Sequence, residues 1–164
     1  MLAVEVQLAV KGDSLPSRGV LRDWARAAWR DSARDAEVVI RVADESESRQ
    51  LNHEYRRKDR ATNVLSFPYE PVPEIDLDHI GDLLICAPVV EREAVEQHKH
   101  PHAHWAHMVV HGMLHLQGFD HVSEAQAREM EALETTILRG LGFPAPYEAE
   151  QQPPARGGNT EGDG

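Results

Sequence analysis

The sequence predicts one domain of mixed α and β structure, and three observations carry that prediction. A chain of 164 residues suits a single domain with a core of its own. Short apolar stretches, alternating or unbroken, recur at 2–10, 37–43, 63–67 and 81–87, which gives about four strands. Apolar residues at helical spacing, flanked by capping signals, fill the intervals and give about five helices. No repeat of fixed period competes with this reading.

Residues 2–10 place Leu2, Val4, Val6, Leu8 and Val10 on one face of a half-buried strand. Because Glu5 and Gln7 interrupt the apolar run and no basic segment precedes it, this start reads as a strand and not as a signal peptide. Pro16 suits the first turn of a helix in which Val20, Leu21, Trp24, Ala27 and Ala28 recur at helical spacing. Residues 37–43, β-branched and apolar, form the second strand. Asp44, with Glu47 three residues on, makes a capping-box pair for a helix that carries Leu51 and Tyr55 and ends near Lys58.

A short strand at 63–67 stops at Pro68, and the acidic, proline-bearing stretch 70–79 is a loop. The unbroken apolar run 81–87 is a strand buried on both faces. Pro88 fits the first turn of a helix at roughly 88–98, and Pro101 starts another that runs to about Gln117. Ser123 and Gln126 form a capping box for a last helix carrying Met130, Leu133, Ile137 and Leu141. The domain is expected to span 1–143, and the Pro-, Gly- and Glu-rich stretch 144–164 to be a disordered tail.

The net charge of −11 argues against coating nucleic acid by bulk electrostatics, but not against a local basic patch. One such patch exists at Arg56, Arg57, Lys58 and Arg60, and alone it reads as a solvated helix end. A single cysteine, Cys86, excludes an internal disulfide and fits a reducing, cytoplasmic setting. No apolar run is long enough for a membrane span.

Eight of the ten histidines fall between His98 and His121, which points to a metal or proton-handling site. His111 and His115 are four apart on a predicted helix and so share a face. Gly118 is a helix stop of the left-handed kind, after which the chain can bring His121 back toward the pair. The offsets match those of metzincin zinc proteases, and three neutral nitrogen ligands leave a zinc ion an open position. All-imidazole ligation also suits nickel, copper or iron. Zinc proteases carry a glutamate base directly after the first histidine; here Gly112 stands there, which disfavours peptide hydrolysis. Trp24, Trp29, Trp105 and Cys86 read as core, and Asp120 either orients a ligand imidazole or caps the last helix.

Three blocks in order, YRRKDRATNVLSFP at 55–68, GDLLIC at 81–86 and HWAHMVVHGMLHLQGFDH at 104–121, make the chain resemble the YbeY (UPF0054) family of bacterial endoribonucleases over roughly residues 1–143. Phe119 stands where that family usually has tyrosine. The resemblance implies an α+β fold: a central, mostly parallel sheet with helices against it and a metal at the end of a cleft. It implies zinc-dependent, single-strand-specific cleavage of RNA in 16S ribosomal RNA 3′-end maturation and ribosome quality control. Metal ligation falls on His111, His115 and His121, and the functional arginine on Arg56. With that, phosphate contact becomes the favoured reading of Arg56, and Lys58 is a weaker support. The implied partners are ribosomal RNA, the small ribosomal subunit, an Era-like GTPase and a small-subunit ribosomal protein. The competing readings are a zinc peptidase, and a non-catalytic ribosome-assembly factor whose metal is structural.

Overall fold

The computed structural model describes residues 1–12, 14–31, 33–68 and 79–147. The predicted loop 70–79 lies outside the described residues except for His79, and the predicted tail 144–164 does so from 148 onward; its first four residues are described, with Pro146 buried and Tyr147 against His107. The elements run β1 (Leu2–Leu8), α1 (Arg18–Ala28), β2 (Ala36–Ala43), α2 (Glu45–Arg56), β3 (Val64–Pro68), β4 (His79–Cys86), α3 (Ala87–Glu96), α4 (Pro101–Leu116) and α5 (Glu124–Gly140). The α+β class, with one mostly parallel sheet of four strands and five helices, is as the sequence predicts.

The sheet order is β1-β2-β4-β3, with β1, β2 and β4 parallel and β3 antiparallel to β4. Central β4 is buried on both faces, as its unbroken apolar run requires: Leu83 and Ile85 face the main core, and Leu84 faces a smaller cluster with Ala43 and Leu65. Edge strand β1 alternates buried Leu2, Val4 and Val6 with exposed residues. Arg22 and Arg26 of α1 donate to the carbonyls of Val4 and Leu2, so this edge is covered by its own helix. β4 carries a bulge opposite Glu37 and Val38, beside Gly81. A Cβ on Gly81 would stand 2.6 Å from the Phe67 carbonyl oxygen, so only glycine allows β3 to approach there.

Caps define the helices. Pro16 precedes α1 instead of entering its first turn, because Ser17 takes the N-cap and accepts from the Val20 amide. Asp44 caps α2 by accepting from the Glu47 amide at 2.9 Å, but the capping box is half-made: the Glu47 carboxylate turns to Arg41 at 2.6 Å. The Ser123–Gln126 box of α5 is complete. In both capping pairs the sequence placed the cap correctly.

Helix α4 is the centre of the fold and touches α1, α3, α5, β3 and β4. Trp105, Val109, Val110, Met113 and Leu114 are fully buried, each large side chain contributing on the order of 1.5–3 kcal/mol. Trp24 and Trp29 are also core, as predicted. Buried Cys86 has its thiol pushed up by burial, in keeping with an inert residue. A helix so enclosed leaves its polar side chains little solvent, and His104, His107, His111 and His115 form a stripe along one side of it.

Candidate metal centre

The first three members of that stripe each have a carboxylate partner. The His104 Nε2 meets Glu93 at 2.9 Å, the His107 Nε2 meets Glu134 at 3.3 Å, and the His111 Nδ1 meets Glu134 at 2.5 Å. His115, one turn further toward the helix end, has no such partner among the described residues and lies beside His111, their ring centroids 4.7 Å apart.

The chain then turns back. The amide of Gly118 donates to the His115 carbonyl and that of Phe119 to the Leu114 carbonyl, the two bonds of a Schellman stop. Gly118 holds φ +96, the left-handed region, as the sequence predicts. Asp120 accepts from the amide of His121 at 2.7 Å, and Ser123 opens α5 two residues later. The loop is thus pinned at both ends and delivers His121 to within 5.2 Å of His115 and 5.9 Å of His111, centroid to centroid. Gln117 fixes this end of α4 to α1, donating to the Ala28 carbonyl and accepting from the Arg30 amide.

One ring nitrogen each from His111, His115 and His121 lies within 4.8 Å of the others, so small ring rotations suffice for all three to reach one ion. Burial pushes the His115 imidazole below its ordinary range, and its two histidine neighbours oppose a proton there further. That favours the neutral form a metal needs. The set fits a divalent transition metal: three neutral nitrogens, half-buried at His111 and His115 and open to solvent at His121.

The carboxylate against one of these three imidazoles is Glu134, which sequence reasoning missed, and not Asp120. Asp120 lies 3.9 Å from the His121 ring nitrogen, beyond hydrogen-bond reach, and Ser123 takes the cap that was its other reading. Glu134 is fully buried on α5 and also accepts from the Tyr147 hydroxyl. Burial raises its carboxyl, but the hydrogen bonds of His107 and His111 outweigh that and hold it down at about 2. A signal was present: Glu134 stands four after Met130 and three before Ile137, a charge on the buried stripe of its helix. His107, His111 and Glu134 form a second group with ligand atoms within 4.8 Å, sharing His111 with the first.

Gly112 packs toward the sheet. A Cβ there would lie 2.8 Å from Leu83 Cδ2 and 3.3 Å from Val64 Cγ2, so a side chain at the position that holds the base in zinc proteases would have to displace packed Leu83 and Val64.

Arg56 ends α2 and lines a separate groove of about 820 Å³ with Tyr55, Leu51, Arg41, Ser66 and Phe67. None of the three histidines lines that groove. Its wall nevertheless reaches α4, where the Ser66 hydroxyl donates to the Gly112 carbonyl, next to His111. Arg41 is tied to Glu47, whereas Arg56 enters no hydrogen bond or ion pair among the described residues. Tyr55 is 67% exposed and meets Phe67 edge-on. The basic block is shaped by buried polar residues: Ser48 bonds both the amide and the carbonyl of Thr62, and Asn52 donates to the Arg60 carbonyl. Arg57, Lys58 and Arg60 are exposed and lie outside the groove lining.

The family model described as Endoribonuclease YbeY matches residues 16–142. The solution structure of TM1509 from Thermotoga maritima shares the fold, with a TM-score of 0.55 at 22% identity, over 87% of this chain and 92% of that one.

Proposed function

The chain belongs to the YbeY endoribonuclease family, and from that premise we propose that it is a zinc-dependent, single-strand-specific endoribonuclease of 16S ribosomal RNA 3′-end maturation and ribosome quality control. Family membership carries the nuclease class and the place in ribosomal RNA maturation. The convergence of His111, His115 and His121 is the observation that supports a metal-dependent reaction. Nickel is an alternative occupant on the donor set alone. A divalent ion bound there supplies Lewis acidity toward a phosphoryl oxygen and lowers the pKa of water.

The chain's own residues have separable tasks in this reading. His111, His115 and His121 hold the ion. Arg56, which has no hydrogen bond or ion pair among the described residues, offers its guanidinium fork to a phosphate oxygen pair at the rim of the groove. Tyr55 and Phe67 present aromatic surface in the same groove, which unpaired bases can stack on and paired ones cannot. Lys58 adds positive charge at the groove's approach. The acidic remainder of the surface repels RNA elsewhere, so a modest patch is enough to steer it. The small ribosomal subunit, an Era-like GTPase and a small-subunit ribosomal protein are the partners this role implies.

The crowded Gly112 position supports the nuclease over the peptidase, since it leaves no base in reach of the histidines from that residue. The test is Arg56→Ala. Zinc content stays at the wild-type level while cleavage of a single-stranded ribosomal RNA fragment falls at least tenfold; cleavage at the wild-type rate removes Arg56 from the proposal.

A further inference from the structure

The buried contacts around Glu134 have a purpose that the three-histidine set alone does not explain. An ionised carboxylate accepts hydrogen bonds and donates none. Glu134 faces the His111 Nδ1 at 2.5 Å through Oε2, and the His107 Nε2 at 3.3 Å and the Tyr147 hydroxyl through Oε1. All three groups must therefore be donors. For His111 this fixes the proton on Nδ1 and leaves the Nε2 lone pair as its only ligand atom. The same bond fixes the rotation of the ring. Glu134 is fully buried, so no solvent competes for these bonds.

His107 and Tyr147 in turn hold Glu134. They saturate the oxygen that His111 does not use, and their own contacts interlock: the Tyr147 hydroxyl lies 3.3 Å from the His107 Nε2, and the two rings meet edge-on at 5.4 Å. Tyr147 lies beyond α5, past the Schellman turn at Gly142 and after buried Pro146. The segment after the last helix thus returns to the base of the histidine stripe.

We propose that Glu134 is a positioning residue for the metal centre, setting the tautomer and orientation of His111, and that the segment ending at Tyr147 completes the centre by holding Glu134 in place. This rests on the reading of His111, His115 and His121 as the metal ligands. A second-sphere carboxylate of this kind is commonly worth 10- to 100-fold in metal affinity. Glutamine is the discriminating replacement, because it keeps the shape of Glu134 but offers at most one acceptor oxygen to donors on both sides.

The experiment measures zinc affinity with a competing chromophoric chelator on wild type, Glu134→Gln, Tyr147→Phe and His115→Ala. Nitrogen-15 NMR on the metal-free proteins reads the His111 tautomer. The proposal predicts 10- to 100-fold weaker zinc binding in Glu134→Gln with circular dichroism unchanged, a smaller loss in Tyr147→Phe, and a shift of the His111 proton away from Nδ1 in Glu134→Gln. Wild-type affinity and tautomer in Glu134→Gln overturn it, provided His115→Ala has lost zinc. If Glu134→Gln does not fold, Tyr147→Phe decides by the same two readouts. Zinc retained by His115→Ala but lost from Glu134→Gln would place the ion on His107, His111 and Glu134, overturning both the ligand reading and the positioning role.

Discussion

Gly118→Ala isolates what the helix stop contributes. A Cβ added at Gly118 meets nothing within 4 Å, so the substitution brings no clash and removes no contact. What remains is the backbone: φ +96 lies where an L side chain costs roughly 1–2 kcal/mol. For a domain of this size that is a fall in melting temperature of about 2–8 °C. The position also carries His121, three residues on, so strain relieved by movement would appear as weaker zinc binding instead. Thermal unfolding of the metal-free protein and a zinc titration together capture both outlets. Gly118→Asn should recover part of the loss, since asparagine tolerates the left-handed region better than alanine. If Gly118→Ala matches wild type in both stability and zinc affinity, or if asparagine is no better than alanine, the left-handed stop is not what the glycine is for.

Gly112→Glu, which restores the zinc-protease pattern, should gain no peptidase activity and lose several kcal/mol of stability by forcing a carboxylate against Leu83 and Val64; urea denaturation and a casein digest check it, and a stable, proteolytic variant would refute the packing argument. Metal-free stability should fall on acidification in two stages. Buried His107, whose proton affinity is depressed by burial, takes up its proton more readily when unfolded, so stability declines as pH drops through about 6.5. Glu134, held at about 2 against an ordinary 4.5, contributes fully above 4.5 and loses roughly 3 kcal/mol as pH falls from there toward 2. Denaturant titrations between pH 8 and pH 2 measure this; Glu134→Gln should flatten the lower stage, while the upper stage persists and deepens because Glu134 raises the proton affinity of His107.

The fold was legible because its signals are local. Period-two and unbroken apolar runs located all four strands, and Asp44 and Ser123 located two helix starts. Strand order was not legible: that β4 inserts between β2 and β3 depends on contacts between distant segments. The three histidines were legible because their spacing on one helix and its stop is itself local geometry. Glu134 and Tyr147 reach His111 and His107 across 23 to 40 positions, and no spacing rule spans that distance. The Glu134 clue was a single charge on an apolar stripe. Pro16 and Glu47 misled for a related reason: each suits a capping role, but Ser17 took the first and Arg41 drew away the second.

The central claim is that the three-histidine centre drives RNA cleavage. It is tested most directly by purifying wild type and His115→Ala identically, determining zinc on the same samples, and incubating both with a labelled single-stranded precursor fragment of 16S ribosomal RNA. The account predicts cleavage by zinc-loaded wild type and none by a folded, zinc-depleted His115→Ala. Equal cleavage by both would contradict it.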